Sequence, residues 1–256
     1  MIEVRNLHKT YGPVVAVDDV SFTANRGEIY GLLGPNGAGK TSTLRMLYGL
    51  SKADGGSLSV DGLDVPSNVV AVQKRIGVLP DSGSLYTRLT ARENIAYFGK
   101  LHGMSQQQID HSIQEFVDIL DMNNIIDRKT GGFSQGERMK VCLARAVVHN
   151  PDYILLDEPT NGLDVLTTRS VRAMLLRLKK EGKCVVFSSH IMHEVANLCD
   201  RVGIIANGRI VTEGDQADVI ANAGVTDMED AFVHYAYGKN ANATANLTAN
   251  ESASGS

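Results

Sequence analysis

The stretch Glu28-Ile29-Tyr30-Gly31-Leu32-Leu33-Gly34-Pro35-Asn36-Gly37-Ala38-Gly39-Lys40-Thr41-Ser42-Thr43-Leu44 decides the fold. It runs from an apolar strand-like segment through a glycine-rich turn into a helical pattern, and Gly34–Thr41 fits G-x-x-x-x-G-K-[ST]. Glycines let the backbone curl until its N–H groups converge, and the following helix adds the favourable field of its N-terminus. Such a cradle suits phosphate oxygens. Lys40 is placed to reach the β- and γ-phosphates of a nucleotide, and the Thr41 hydroxyl to coordinate Mg²⁺. Gly34, Pro35, Asn36, Gly37, Ala38, Gly39, Lys40, Thr41 and Ser42 are therefore the candidate nucleotide-binding residues.

Outward from this loop, turn residues separate short β-rich runs. Ile2–Leu7, Val14–Val20 and Glu28–Leu33 read as strands, as do Ser57–Val60 and Ile76–Leu79. A helix over about 39–49 is predicted to carry Leu44, Leu47 and Leu50 on one face. The middle of the chain turns helical. Thr90 with Glu93 forms a capping box opening a helix to Leu101, Ser105 begins a second, and Ser134 starts a third running to about His149. Residues 83–149 are thus expected to form a helical subdomain. Beyond Pro151 the order is a strand at Tyr153–Leu156, a helix at Leu163–Lys180, a strand at Cys184–Ser188 and a helix at Met192–Leu198. A hairpin around Asn207-Gly208 follows. Nearly all-apolar strands alternating with helices imply a buried, largely parallel sheet. The expected fold is an α/β nucleoside-triphosphatase core with a mixed, largely parallel sheet, an N-terminal antiparallel β subdomain and a helical subdomain. The segment 238–256, rich in Asn, Ala, Thr and Ser, is expected to be disordered.

Composition excludes several other classes. The 25 basic residues against 29 acidic ones leave a net charge of −4, which is no footprint for nucleic acid. No apolar run approaches the roughly 18 residues of a membrane helix, and Met1–Arg5 resembles no signal peptide. The expectation is an intracellular protein that crosses no membrane by itself. Cys142, Cys184 and Cys199 are widely spaced among apolar neighbours and read as small core residues.

Two further constellations carry chemistry. Ile154-Leu155-Leu156-Asp157-Glu158-Pro159 is an apolar strand ending in two carboxylates. Neighbours on a strand face opposite ways, so the two take different tasks: Asp157 the metal, Glu158 the attacking water. On its own the same triplet is equally an ordinary turn. Phe133-Ser134-Gln135-Gly136-Glu137 has capping-box spacing, which alone accounts for Ser134 and Glu137; a hydroxyl, a glycine amide and a helix N-terminus also make a second anion site. Two separate phosphate-binding ends on one chain suggest two copies sharing each nucleotide.

With these motifs in order, residues 1–235 resemble the nucleotide-binding subunit of an ABC transporter. Phe133–Glu137 is similar to the family signature Leu-Ser-Gly-Gly-Gln, Asn161-Gly162-Leu163-Asp164 to the D-loop, and His190 after Ser188-Ser189 to the switch histidine. Tyr11 sits where the family places an aromatic that stacks on adenine. Without that company, His190 is a strand-end histidine and Tyr11 a turn tyrosine. The resemblance implies a Mg²⁺-dependent ATPase dimerising head to tail on ATP. Ser134, Gly136 and Glu137 would act on the nucleotide held by the second ATP-binding subunit, and His190 would hold Glu158 and the water in register. A separate transmembrane permease subunit would be driven, with this chain peripheral on the cytoplasmic face and no nucleic acid bound.

The sequence departs from the family at two places. Where a metal-ligating Gln is usual after Leu79-Pro80, this chain has Asp81, also a hard oxygen donor but shorter and charged. In the signature, Gln135 replaces Gly and Glu137 replaces Gln, while the Ser and the second Gly are kept. The wording around Leu79–Asp81 and Leu89–Asn94 resembles sodium-efflux ATPases of the NatA kind, which implies export with Na⁺ as one candidate cargo. The rival expectations are an ABC-type ATPase acting on DNA or ribosomes, and a module that closes on ATP without turnover.

Overall fold

The computed structural model describes residues 1–81 and 84–238. Strands β1 (Ile2–Tyr11) and β2 (Val14–Ala24) pair antiparallel and bury Ile2, Val4, Leu7, Val17, Val20 and Phe22. Asn6 takes a φ of 46° and the register shifts between Val4 and Leu7. That extra residue turns Leu7, rather than Asn6, into the core. β3 (Ile29–Leu33) enters the central sheet, and α1 (Lys40–Leu47) follows the glycine-rich turn. β4 (Gly55–Val60) and the short β5 (Leu63–Asp64) complete a four-stranded antiparallel sheet in the order β2-β1-β4-β5.

After α2 (Val69–Gln73) and β6 (Ile76–Leu79) come three helices in succession: α3 (Ala91–Leu101), α4 (Gln106–Ile119) and α5 (Gln135–Val147). Each opens on a reciprocal capping box, from Thr90, Ser105 and Ser134 respectively. Then follow β7 (Tyr153–Asp157), α6 (Val165–Lys180), β8 (Cys184–Ser189) and α7 (Met192–Leu198). The hairpin β9 (Arg201–Ala206) and β10 (Arg209–Asp215) leads to α8 (Gln216–Ala223) and α9 (Met228–Tyr237). The second sheet has the order β10-β9-β3-β8-β7-β6, parallel throughout except for the antiparallel β10 edge.

Pleat alternation divides the buried side chains of the parallel sheet between two cores. Ile29, Leu33, Ile154, Leu156, Val185 and Phe187 face the helices α3 to α7 and α9. Tyr30, Leu32, Tyr153, Leu155, Cys184 and Val186 face the antiparallel sheet and α1. Five or six consecutive buried residues in β3, β7 and β8 follow from burial on both sides. All three cysteines are buried, and burial pushes their thiols up, Cys184 to about 12, so none is a thiolate at neutral pH.

Several expectations need adjustment. α1 ends at Leu47, and Leu50 lies beyond it, 69% exposed rather than in the core. α5 stops at Val147 and α6 starts at Val165, where Asp164 caps it. α2, β5, α8 and α9 were not anticipated; they are short or lack a strong apolar period. From residue 239 the expected disordered tail lies outside the described residues, as does Gly83, the first residue of the expected helical block. The Asn207-Gly208 turn is tucked between β2 and the glycine-rich loop: Gly208 N–H donates to Ala38 O at 3.1 Å, and Asp18 N–H to Gly208 O at 2.7 Å.

Candidate functional site

Parallel pairing brings the C-terminal ends of β3, β8 and β7 to one edge of the sheet, where ligands of such sheets bind. The glycine-rich loop leaves β3 there. Gly39 has a φ of +108°, and a Cβ on it would lie 2.4 Å from Ala16 O, so the position accepts only glycine. Gly39 is also the N-cap of α1 and supplies no side-chain bond to the first-turn amides. Those N–H groups, with Thr41 and Ser42 half-buried beside them, are left for an anion. The Lys40 side chain is buried in the loop. Its ammonium donates to Gly34 O at 2.7 Å and Pro35 O at 3.2 Å, and stands 3.3 Å from Glu158 Oε1.

β7 ends at Asp157, a buried carboxylate whose Oδ1 accepts the Ser188 hydroxyl proton at 2.5 Å. The alternation expected to separate Asp157 from Glu158 does not operate, because the strand stops between them. Glu158 instead takes a left-handed φ of 51°. That turn, rather than strand alternation, sets where its carboxylate goes. The Glu158 N–H donates to Ser188 O at 3.2 Å and to Ser188 Oγ at 3.1 Å. Glu158 Oε2 meets His190 Nδ1 at 2.8 Å, while Oε1 faces Lys40. A carboxylate fixed at both oxygens, beside a phosphate cradle, is equipped to orient a nucleophile.

The signature segment is built differently. Ser134 caps α5: its Oγ accepts from Glu137 N at 3.2 Å, and its own N–H donates to Glu137 Oε2 at 2.9 Å. Glu137 Oε1 pairs with Arg128 at 2.7 Å. These bonds, the Ser134 amide foremost, hold the Glu137 carboxyl below the usual range. In this structure the Glu137 carboxylate serves the cap of α5, one oxygen on the Ser134 amide and the other on Arg128. The Ser134 hydroxyl uses a lone pair in the cap and keeps its proton for an outside acceptor. Gly136 sits against α6, where a Cβ would lie 2.8 Å from Thr167 Oγ1. Gln135 Nε2 donates to Asn161 O at 2.8 Å, tying the signature to the D-loop. Gln135 and Gly136 thus stand against 161–167, and among the described residues no hydrogen bond joins residues 134–137 to the phosphate loop of their own chain.

Tyr11 ends β1, 45% exposed as a residue, with the Lys9 ammonium 5.3 Å from its ring centroid. Asp81 is exposed two residues past β6, on the same sheet edge as Asp157. Among the described residues no group of three or more His, Cys, Asp or Glu side chains could hold a metal by itself. The Thr41 hydroxyl and the Asp157 carboxylate are hard oxygen donors all the same. They fit Mg²⁺, which commonly takes one or two protein oxygens and fills its remaining positions with phosphate oxygens and water.

The family described as ABC transporter matches residues 17–161, taking in the phosphate loop, the signature and both carboxylates. The chain belongs to the ABC transporter family. The ABC transporter ATP-binding protein NatA of Bacillus subtilis is 46% identical over 221 residues, covering 86% of this chain and 90% of that protein. Nod factor export ATP-binding protein I of Burkholderia lata is 41% identical over 213 residues, covering 83% and 70%. A solved ATP-binding subunit of an ABC transporter superposes with a TM-score of 0.85 at 25% identity, covering 92% of this chain and 99% of that one. A bacterial ABC transporter cassette solved as a dimer gives 0.77 at 25% identity over 84% and 98%. This ABC protein is accordingly the ATP-binding, ATP-hydrolysing subunit of a transporter. Among the described residues no helix is long and apolar enough to cross a membrane.

Two site features went unread in the sequence. The Ser188 hydroxyl joins Asp157 to Glu158, and its one signal is a polar residue at the end of the otherwise apolar run Cys184-Val185-Val186-Phe187. The Gln135 link to Asn161 had no signal, because it joins loops 26 residues apart.

Proposed function

We propose that two copies of this chain close head to tail on two ATP molecules with Mg²⁺ and drive a separate membrane permease from the cytoplasmic side. Residues 1–237 form the ATP-binding unit and 83–149 its helical subdomain. The observation that carries the reading is Glu158, held between Lys40 at 3.3 Å and His190 at 2.8 Å directly after Asp157. Loop amides from Gly34 to Ser42 and the Lys40 ammonium bind the phosphates, and Tyr11 stacks on the base. Thr41 and Asp157 would hold Mg²⁺, with Asp81 as a further oxygen donor, and when bound it would neutralise charge on the transferring phosphoryl group. Glu158 orients and deprotonates the attacking water, and His190 keeps Glu158 in place. Ser134 and Gly136 of each copy complete the site of the other, a reading supported by the lack, among the described residues, of any hydrogen bond from residues 134–137 to the phosphate loop of their own chain. Export is favoured by the names of relatives such as the Nod factor export protein, and Na⁺ is a candidate cargo.

Turnover of ATP by wild type and Glu158→Gln tests the reading. The variant is expected to bind ATP, to elute as a dimer only when ATP is present, and to lose at least about a hundredfold in kcat. Equal turnover in both proteins would remove Glu158 from its assigned role. Co-purification with an integral membrane protein tests the permease.

A further inference from the structure

The end of β8 is the junction of the site. Three successive residues there reach three different parts of it. Ser188 is the register partner of Asp157 and bonds both carboxylate residues, Ser189 O accepts from Gly34 N–H at 3.2 Å, and His190 meets Glu158. Ser188 is fully buried, and its one hydroxyl makes both bonds: it donates to Asp157 Oδ1 at 2.5 Å and accepts from Glu158 N–H at 3.1 Å. We infer that Ser188 is a positioning residue of the hydrolytic reaction. Its hydroxyl fixes the Asp157 carboxylate against rotation and pins the left-handed turn that aims Glu158.

The chemistry supports a role beyond packing. A buried carboxylate oxygen with a hydroxyl donor is fixed in direction, and without that donor the group is free to turn about its terminal torsion. Glu158, at a φ of 51°, occupies backbone space that a glutamate seldom adopts, so surrounding bonds must hold it there. One of those bonds, to Ser188 O at 3.2 Å, is backbone and survives any substitution at this position. Removing the hydroxyl should therefore leave the fold in place while loosening the metal carboxylate and the water-orienting carboxylate together. Binding of the nucleotide phosphates by the loop and Lys40 does not pass through Ser188.

This inference rests on Asp157 as the metal carboxylate and Glu158 as the residue that orients the water. The experiment compares Ser188→Ala, Ser188→Thr, Asp157→Asn and Glu158→Gln in the full chain. It measures kcat and KM for ATP, the affinity of a fluorescent ATP analogue in EDTA and in Mg²⁺, and Tm. Ser188→Ala is expected to lower kcat by about tenfold or more and to lose severalfold of the Mg²⁺-dependent gain in affinity. Its affinity in EDTA should stay within about twofold of wild type. Ser188→Thr, which restores the hydroxyl, should recover most of both losses. The inference is overturned if Ser188→Ala keeps wild-type kcat and Mg²⁺ response. It is equally overturned if affinity falls as much in EDTA as in Mg²⁺, or if Ser188→Thr is no better than Ser188→Ala. Full turnover by Glu158→Gln, or an unchanged Mg²⁺ response in Asp157→Asn, would instead strike the underlying assignment.

Discussion

Glu158 illustrates how one residue's backbone decides its chemistry. With an extended φ it would continue β7 and point away from Lys40. At 51° it lies between Lys40 and His190, each holding one carboxylate oxygen. Lys40 in turn is buried and bonded to loop carbonyls, so loop shape and carboxylate position are set by the same ammonium. Asp81 contrasts with this pair, being exposed and two residues past its strand. If Thr41 and Asp157 hold Mg²⁺ as proposed, Asp81 would add a single further oxygen, which either a carboxylate or an amide supplies. Asp81→Gln should accordingly keep ATP turnover within about threefold of wild type, measured across a Mg²⁺ titration. A collapse of activity would show that the negative charge itself is required.

At the scale of elements, the motifs that could be read were those whose meaning is local. The capping boxes at Thr90 and Ser134 and the apolar strands depend on residues close together in sequence, and the structure forms them where the spacing predicts, with a third box at Ser105. The N-terminal strand pair was legible in its starts, but both strands run four residues past the expected Leu7 and Val20, and nothing local in Asn6 announces that Leu7 will take its place in the core. The site was legible as a set of residue types, but not as geometry. The Glu158 turn, the Ser188 bridge and the Gln135–Asn161 bond all join segments distant in sequence. Another such joint links the ends of α3 and α5 to β6. The His102 and His149 rings stack with centroids 3.6 Å apart, and His149 Nε2 donates to Ile76 O at 3.2 Å. Burial first, then the neighbouring His102, pushes His149 down to about 4. In the unfolded chain a histidine protonates near 6.5, so between these values the unfolded state binds the extra proton. Stability is therefore full above about pH 6.5 and declines as pH falls toward 4. His149→Gln, which keeps a donor for Ile76, should flatten the fall in Tm over that window.

The whole molecule is two sheets with a core on each side of the parallel one, and its chemistry sits where three parallel strands end together. The phosphate loop lies on that edge; Ser134 and Gly136, proposed to complete the site of a second copy, lie on the segment tied to 161–167. If the two combine only between copies, mixing Lys40→Ala with Ser134→Arg chains leaves one intact site in each mixed dimer. Such a mixture should recover up to about a quarter of wild-type turnover although neither variant is active alone. No recovery at any mixing ratio would count against completion in trans. The turn under the phosphate loop bears on how the protein ages. Asn-Gly pairs are the most prone to deamidate, because the glycine nitrogen attacks the asparagine side-chain amide to close a succinimide. At Asn207-Gly208 that nitrogen is committed to Ala38 O, within the nucleotide-binding loop itself. The loop's order thus shields the turn from covalent damage. Conversion of Asn207 to aspartate or isoaspartate in a stored sample becomes a chemical record of how often the loop has opened.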